Sequence, residues 1–161
     1  MTATGAPARG RGIAFARYES EYTYVAVVAE VTVDLGCGAV RVTRVVAAHD
    51  CGLIINPDGL INQIEGNVIQ GISRALKEEV RFDQTQVTSL NWATYPILTF
   101  AEAPKIEIAL IDRPEEPPWG AGEPAICPVA AAIGNAIFDA TGVRLRTVPF
   151  TPDRVLAALV S

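Results

Sequence analysis

The feature that most constrains the fold is a stretch of β-branched and aromatic residues that runs from residue 12 to residue 50. Tyrosines and valines dominate residues 22–33, and valines return over residues 40–46. The intervening Asp-Leu-Gly-Cys-Gly, residues 34–38, has the composition of a tight turn. This pattern predicts an antiparallel hairpin with one solvated face. Residues 1–11 lack any periodicity, and we expect them to form a flexible arm.

Helices are predicted after the hairpin. Asn56 is a favourable N-cap followed by proline, and apolar residues recur at helical spacing over residues 57–79. A second helix is predicted over residues 128–142, where the apolar composition nearly all round is typical of a buried helix. A short helix over residues 152–160 and an alternating strand over residues 105–111 complete the pattern. We therefore expect an α+β fold in which a mostly antiparallel sheet is packed by helices.

Composition excludes several classes of function. Half of the 161 residues are hydrophobic and the net charge is −5, with no run of basic residues, so we expect no nucleic-acid partner. Three widely separated cysteines and one histidine predict neither a zinc site nor an iron–sulfur cluster in this chain. We expect each cysteine to be a small buried side chain. The first residues have no apolar stretch, so no signal peptide is expected, and the compartment, cytoplasmic or periplasmic, stays open.

A glycine-rich loop carries the strongest candidate for chemistry. Gly120, Ala121 and Gly122 are followed by Glu123 and Pro124, just ahead of the predicted buried helix. The glycines allow the backbone to approach a bound group closely. A carboxylate in an apolar surround near a helix start could act as a general base. The alternative is a surface glutamate in a glycine- and proline-rich loop, which the spacing alone favours.

A row of uncharged amides is the second candidate. On the predicted helix 57–79, the side opposite the apolar residues carries Gln63, Asn67, Gln70 and Arg74. Amides both donate and accept hydrogen bonds, which suits a polar cofactor, and a solvated helix face is the equally favoured alternative. Gly66 and Gly71 weaken this helix, which indicates that another group packs close to its backbone. By contrast, His49 is expected to be a buried residue with hydrogen-bonded ring nitrogens.

Five segments, taken in order, resemble the molybdopterin-binding subunits of the xanthine oxidase and aldehyde oxidase family. They are Ala-His-Asp-Cys-Gly-Leu-Ile-Ile-Asn-Pro at 48–57, Asn-Gln-Ile-Glu-Gly at 62–66, Gln-Gly-Ile at 70–72, Gly-Ala-Gly-Glu-Pro at 120–124, and Ala-Thr-Gly-Val-Arg-Leu-Arg at 140–146. The order and the last segment are most similar to the branch formed by the beta subunits of isoquinoline 1-oxidoreductase. The resemblance covers about residues 12–150.

This resemblance implies a molybdenum hydroxylase that oxidises an aldehyde or an N-heterocycle with water-derived oxygen. Glu123 matches the glutamate that acts as the catalytic base, and Gln63 matches a glutamine that hydrogen-bonds the pterin. The residues assigned to cofactor binding are Gln63, Asn67, Gln70, Gly120, Ala121 and Gly122. The implied cofactor is molybdopterin in its dinucleotide form. The implied partners are the remainder of the molybdenum subunit and a subunit that carries iron–sulfur clusters.

Two alternatives to a catalytic segment stay open. Subunits of this family are several times longer than 161 residues, so residues 12–161 correspond to the C-terminal portion of a molybdenum-cofactor-binding domain. The first alternative is a cofactor-free fragment or interaction module that completes a larger oxidoreductase subunit, which an exposed apolar patch would favour. The second is a small hydrolase, which needs another acid or a nucleophile near Glu123.

Overall fold

The computed structural model describes residues 7–20 and 22–160, and within them lie one four-stranded sheet and three α-helices. The elements are β1 (Ala8–Arg17), β2 (Tyr24–Val33), β3 (Val40–Asp50), α1 (Pro57–Leu76), β4 (Lys105–Ile111), α2 (Val129–Thr141) and α3 (Pro152–Leu159). The strand order is β1-β2-β3-β4. The first three strands pair antiparallel, and β4 pairs parallel to β3. The predicted α+β class with a mostly antiparallel sheet is confirmed.

The predicted hairpin is formed by β2 and β3. Val33 pairs with Val40 at the turn, and Tyr24 pairs with Asp50 at the open end. Asp34 closes the turn, because its Oδ1 accepts hydrogen bonds from the backbone N–H groups of Gly36 and Cys37 at 2.8 and 3.1 Å. An aspartate that bonds the next backbone groups in this way is a common turn former, as its position in the sequence indicated.

The first strand corrects the expectation of a flexible arm over residues 1–11. Residues 8–11 belong to β1, while residues 1–6 lie outside the described part of the chain. Two glycines obscured this strand in the sequence, since glycine is depleted from strands. They are needed because α2 lies directly on β1. A Cβ atom at Gly10 would lie 2.1 Å from the carbonyl oxygen of Ala136, and one at Gly12 would lie 2.3 Å from that of Ala132.

The helices begin and end close to the predicted positions. Asn56 caps α1, since its Oδ1 accepts a hydrogen bond from the N–H of Gly59 at 3.0 Å. This helix ends at Leu76, three residues before the predicted end at residue 79. The second predicted helix is confirmed as α2, which ends with Gly142 in the left-handed conformation at φ 75°. The last helix is confirmed as α3.

The hydrophobic core lies between one face of the sheet and helices α1 and α2. The inward residues of β2 are exposed by 2% or less, and they are Val25, Val27, Ala29, Val31 and Val33. Burial of a valine side chain stabilises a fold by roughly 1.5 kcal/mol or more, so this row anchors the sheet. The 18-residue stretch Pro124–Thr141 has the length and apolarity of a membrane span, but half of it is buried in this core. Contact with the core accounts for its composition.

Candidate active site

Three parts of the fold converge on one cavity of about 440 Å³. They are the connection between β1 and β2, the amide-bearing face of α1, and the loop that precedes α2. The side chains and backbone that line the cavity come from Tyr18, Gln63, Gly66, Asn67, Gln70, Arg74, Gly122, Glu123, Ile126 and Cys127. The lining is therefore mostly polar, with one carboxylate and one guanidinium among the described residues.

The loop that carries Glu123 is first fixed to the end of β3. The Asp50 carboxylate forms an ion pair with Arg113 at 2.9 Å, and it also accepts a hydrogen bond from the N–H of Gly52 at 3.1 Å. The N–H of Trp119 donates to the carbonyl oxygen of Cys51 at 2.9 Å. These contacts bring the chain after β4 back across the carboxyl end of β3 and aim it at α1.

Two side chains then hold the glycine-rich part of the loop from opposite sides. The Thr23 hydroxyl, which is fully buried, donates to the carbonyl oxygen of Gly120 at 2.7 Å. From α1, Asn67 Nδ2 donates to the carbonyl oxygen of Gly122 at 2.8 Å, and Asn67 Oδ1 accepts from the N–H of Ile126 at 3.2 Å. Both ends of the Asn67 amide are thus bonded within the chain. Its direct effect is to fix the loop.

Glu123 begins the short turn Pro124–Ile126, and its carboxylate opens into the cavity. Tyr18 Oη donates to Glu123 Oε2 at 2.6 Å. This hydrogen bond, followed by loss of solvation, raises the pKa of Tyr18 to about 12, so the phenol stays protonated at neutral pH. The apolar surround that the sequence suggested for Glu123 is absent among the described residues, because the carboxylate is exposed beside other polar groups.

The two glutamines of α1 have free polar ends. In the part of the chain that the structure describes, the side-chain amides of Gln63 and Gln70 form no hydrogen bond, and both face the cavity. The two helix glycines differ. A Cβ atom at Gly71 would lie 2.8 Å from the Val129 side chain, so the predicted close packing on the helix backbone is confirmed there, and the partner is α2. A Cβ atom at Gly66 would meet nothing within 4 Å and would project into open space at the cavity.

The structure brings most of the predicted site residues together. The cavity is lined by Gln63, Asn67, Gln70, Gly122 and Glu123. Ala121 lines an adjoining cavity of about 230 Å³ that shares Gln63 and Gly122 with the first. Gly120 lines neither of these two cavities, and its carbonyl oxygen serves as the attachment point for Thr23.

Sequence reasoning missed Tyr18 and Cys127 in the cavity and left Arg74 out of the assigned site. Tyr18 is 105 residues from Glu123, and no spacing pattern links two such positions. Arg74 lies on the same helix face as the amide row, so the helical period alone could have predicted its position in the cavity. Cys127 and Cys37 are exposed, which corrects the expectation that every cysteine is buried; Cys51 alone meets it.

His49 is buried as expected, but the expected hydrogen bonds of its ring nitrogens are absent among the described residues. The side chain is fully inaccessible, and within the described residues neither Nδ1 nor Nε2 has a hydrogen-bond partner. Burial lowers the pKa of His49 to about 4, against a smaller opposing effect of the Asp50 charge. The imidazole is therefore neutral at physiological pH.

Comparison with known proteins identifies the family. The sequence model of the molybdopterin cofactor-binding domain matches residues 4–104, which is more than half of the chain. The chain therefore belongs to the molybdopterin cofactor-binding domain family of xanthine-oxidase-type enzymes, whose members are molybdenum-dependent oxidoreductases. The match ends before the loop that carries Glu123, so the role of that residue does not follow from it.

Individual relatives extend the similarity over nearly the whole chain. A nicotinate dehydrogenase subunit of Pseudomonas putida is 53% identical over 98% of this chain and 14% of its own length. The beta subunit of isoquinoline 1-oxidoreductase from Brevundimonas diminuta is 33% identical over 88% of this chain and 17% of its own length. The crystal structure of quinoline 2-oxidoreductase from Pseudomonas putida 86 matches with a TM-score of 0.80 and 33% identity, over 86% of this chain and 19% of that one.

These relatives test the predicted family and the predicted branch within it. The family is confirmed, and within it the nicotinate dehydrogenase subunit shares more residues with this chain than the isoquinoline 1-oxidoreductase subunit does. The chain spans less than a fifth of the length of each of these three proteins.

Proposed function

We propose that this chain is the segment of a molybdenum hydroxylase that carries the catalytic base, Glu123, and part of the cofactor site. The observation that carries the proposal is a single cavity in which the Glu123 carboxylate lies together with the unbonded amides of Gln63 and Gln70. A base beside free donors and acceptors is the arrangement that such a reaction needs.

The residues of the cavity fit molybdopterin. The amides of Gln63 and Gln70 can donate to and accept from the polar edge of a pterin, and Gly66 leaves space that any side chain would fill. When bound, molybdopterin supplies the two-electron oxidation and the water-derived oxygen that the substrate gains. The adjoining 230 Å³ cavity beyond Gln63 offers room for the added nucleotide of the dinucleotide form. Asn67 acts on the cofactor indirectly, since its amide fixes the loop.

Glu123 is the group that takes up a proton in the proposed reaction. Its Oε2 is occupied by the Tyr18 hydroxyl, whereas Oε1 has no hydrogen-bond partner among the described residues. One oxygen can thus accept a proton while the other keeps the carboxylate in place. A hydrolase in which Glu123 works with a second acid is disfavoured, because no other carboxylate among the described residues lines this cavity. The one nucleophilic thiol that lines it is that of Cys127.

The proposed substrate is an aldehyde or an N-heterocycle, with the heterocycle preferred. The preference rests on the relative named for nicotinate, an N-heteroaromatic compound, which is 53% identical, whereas two relatives named for aldehydes are 39% and 35% identical. The proposed partners are the remainder of the molybdenum subunit and an iron–sulfur subunit that removes the electrons. The nicotinate dehydrogenase and isoquinoline 1-oxidoreductase relatives are named as single subunits of larger enzymes, which supports a multi-subunit assembly.

Replacing the carboxylate tests the base. In the assembled enzyme that contains this chain, Glu123→Gln is expected to lower kcat by at least about 100-fold, because general-base catalysis contributes 10²–10⁴-fold. Steady-state oxidation of nicotinate and related heterocycles would measure it. Glu115→Gln, in the same exposed region but outside the cavity, is the matched control. Near-normal turnover of Glu123→Gln would refute the assignment of Glu123.

Removing one free amide tests the cofactor site. Gln63→Ala is expected to lower the molybdenum and pterin content of the purified complex without unfolding the domain, since the amide forms no hydrogen bond with a described residue. Elemental analysis and pterin fluorescence measure the content. Asn62→Ala is the control, because the Asn62 amide donates to the Asp58 carbonyl of its own helix at 2.9 Å. Unchanged cofactor content in Gln63→Ala would remove Gln63 from the site.

A second candidate function is an interaction module that completes a larger subunit without holding cofactor. The observation in its favour is a run of exposed apolar side chains over residues 80–100, which includes Phe82, Leu90, Trp92 and Phe100. Molybdenum analysis of the assembled complex separates the two functions. Near-stoichiometric molybdenum that Gln63→Ala depletes supports the first, and a stable complex without molybdenum supports the second.

A further inference from the structure

The connection between β1 and β2 contacts the glutamate loop at three points. Tyr18 Oη donates to the Glu123 carboxylate at 2.6 Å, and Thr23 Oγ1 donates to the Gly120 carbonyl oxygen at 2.7 Å. The ring of Tyr22 packs on that of Trp119, with centroids 4.7 Å apart. Two of these contacts hold the backbone or an aromatic ring of the loop. Only the contact of Tyr18 reaches the carboxylate itself.

We propose that Tyr18 is a positioning residue that fixes the carboxylate of Glu123 and directs its second oxygen into the cavity. The inference rests on the proposed function of Glu123 as the base. It adds a residue from a different part of the fold, the connection that follows β1, to the machinery of that base.

The flexibility of a glutamate side chain explains why one hydrogen bond is enough to fix the orientation of the Glu123 carboxylate. Glutamate has three side-chain torsions, and an exposed glutamate samples several rotamers. Glu123 is exposed, and its position at the start of the turn Pro124–Ile126 adds no hydrogen bond from its side chain to the turn. A hydrogen bond to an ionised acceptor is short and roughly twice as strong as one between neutral groups, in keeping with the 2.6 Å distance. Tyr18 therefore selects one orientation of an otherwise mobile base.

The backbone of Tyr18 is itself held by hydrogen bonds within the connection. The N–H of Tyr18 donates to the carbonyl oxygen of Thr23 at 2.8 Å, and the N–H of Tyr22 donates to the carbonyl oxygen of Tyr18 at 3.3 Å. The connection is thus closed on itself beside the loop. Because the pKa of Tyr18 is raised to about 12, its hydroxyl remains a donor at every pH at which the enzyme would work.

The first experiment removes the hydroxyl and keeps the ring. Tyr18→Phe in the assembled enzyme is expected to lower kcat roughly 10- to 100-fold, since misplacement of a catalytic group by about 1 Å can cost 10²-fold. The KM and the molybdenum content should stay within about twofold of the parent, because Tyr18→Phe leaves the side-chain amides of Gln63 and Gln70 unchanged and frees only the orientation of the Glu123 carboxylate. Tyr95→Phe is the matched control, because Tyr95 donates a similar hydrogen bond to Glu78 at 2.8 Å outside the cavity.

A kcat for Tyr18→Phe equal to that of Tyr95→Phe overturns the positioning role, provided that Glu123→Gln is inactive. If Glu123→Gln also retains turnover, the proposed function fails first, and the positioning role fails with it. The two failures are thus distinguishable from three variants measured side by side.

The second experiment tests the Tyr18–Glu123 contact without turnover. With tyrosine labelled at ¹³Cζ, the resonance that Tyr18→Phe removes identifies Tyr18, and its shift reports ionisation. In the parent, Tyr18 should remain protonated up to about pH 11; in Glu123→Gln, its midpoint should fall towards the ordinary pKa of 10.0. An identical Tyr18 titration in both proteins overturns the contact on which the inference stands.

Discussion

His49 is a buried imidazole whose two nitrogens have no partner within the described residues. It lies on β3 opposite Val25 of β2 and Leu110 of β4, on the face that meets the helices. Only the neutral ring is compatible with such surroundings, because a charge buried without a partner costs several kcal/mol. The residue therefore links the stability of the fold to pH.

The direction of that pH dependence follows from the lowered pKa. In the unfolded chain His49 gains a proton near its ordinary pKa of 6.5, whereas in the folded chain it does so at about 4. Stability is thus fully present above pH 6.5 and falls as the pH drops towards 4, by about 3 kcal/mol for this shift. Urea unfolding of the chain at pH 7, 6, 5 and 4.5 measures the free energy of unfolding over this window.

A variant isolates the contribution of His49. His49→Leu replaces the imidazole with an apolar side chain of similar size that cannot gain a proton, and it should flatten the slope between pH 6.5 and 4.5. The ion pair of Lys77 with Glu102 contributes little in this range, because its stability is lost between the ordinary pKa of Glu102, 4.5, and the value of about 2 to which Lys77 lowers it. Equal slopes for the parent and His49→Leu would contradict the prediction.

At the scale of single elements, α1 contains the same residue in two opposite environments. Gly71 faces Val129 of α2 at a distance that leaves no room for a Cβ atom, and Gly66 faces the open cavity. Both residues weaken the helix by about 1 kcal/mol relative to alanine. The helix retains one glycine for packing, and we infer that it retains the other for a ligand.

Alanine at these two positions is expected to have effects of opposite sign. Gly66→Ala should raise the free energy of unfolding of the chain by roughly 0.5–1 kcal/mol, yet lower molybdenum retention in the assembled enzyme. Gly71→Ala should lower that free energy by about 1–3 kcal/mol through overpacking against Val129. Urea unfolding and molybdenum analysis of both variants check the pair. Destabilisation by Gly66→Ala with normal molybdenum content would contradict it.

The elements that the sequence predicted well are those whose residue pattern follows from the local period of a strand or a helix. The burial of β2 and the amide row of α1 follow from the local period, and β4 was placed at its observed ends of Lys105 and Ile111. The start of β1, residues 8–11, was missed because Gly10 and Gly12 are required by α2, which lies directly on them. A local pattern cannot reveal a constraint that another element imposes.

The same distinction applies to the site. Glu123 and Gln63 were identified from short motifs and the resemblance that they support, and both line the cavity. Tyr18 and Thr23 join the loop through contacts that span 105 and 97 residues, so only the three-dimensional fold brings them there. Asn67 lines the cavity as predicted, but its amide forms hydrogen bonds with the glutamate loop, whereas the prediction was contact with the cofactor.

At the scale of the whole molecule, the chain holds one core and also presents an uncovered apolar surface. We call residues 80–100 the apolar excursion, which lies between α1 and the turn before β4. The excursion is anchored to α1 and the residues that follow it by hydrogen bonds, such as that from Leu98 N–H to Ser73 Oγ at 2.9 Å and that from Tyr95 to Glu78. Its largest side chains point away from the core, with Trp92 74% and Phe100 99% exposed.

The length of the relatives indicates what covers this surface. This chain spans 14% of the nicotinate dehydrogenase subunit and 19% of the quinoline 2-oxidoreductase chain, so most of each relative lies outside the matched region. Single exposed apolar residues are ordinary on a protein surface, but seven exposed large ones within residues 80–100 are typical of a contact surface. We therefore expect the apolar excursion to pack against the remainder of the molybdenum subunit.

Hydroxyl-radical footprinting with mass spectrometry tests this expectation. Oxidation of Trp92 and Phe82, normalised to buried Phe150, should be several-fold slower in the complete subunit than in the 161-residue chain, because packing removes both side chains from water. Equal oxidation of Trp92 in both proteins would mean that the subunit leaves the apolar excursion exposed. The excursion would then be the surface that a separate partner protein covers, and oxidation measured again in the full assembly would show that protection.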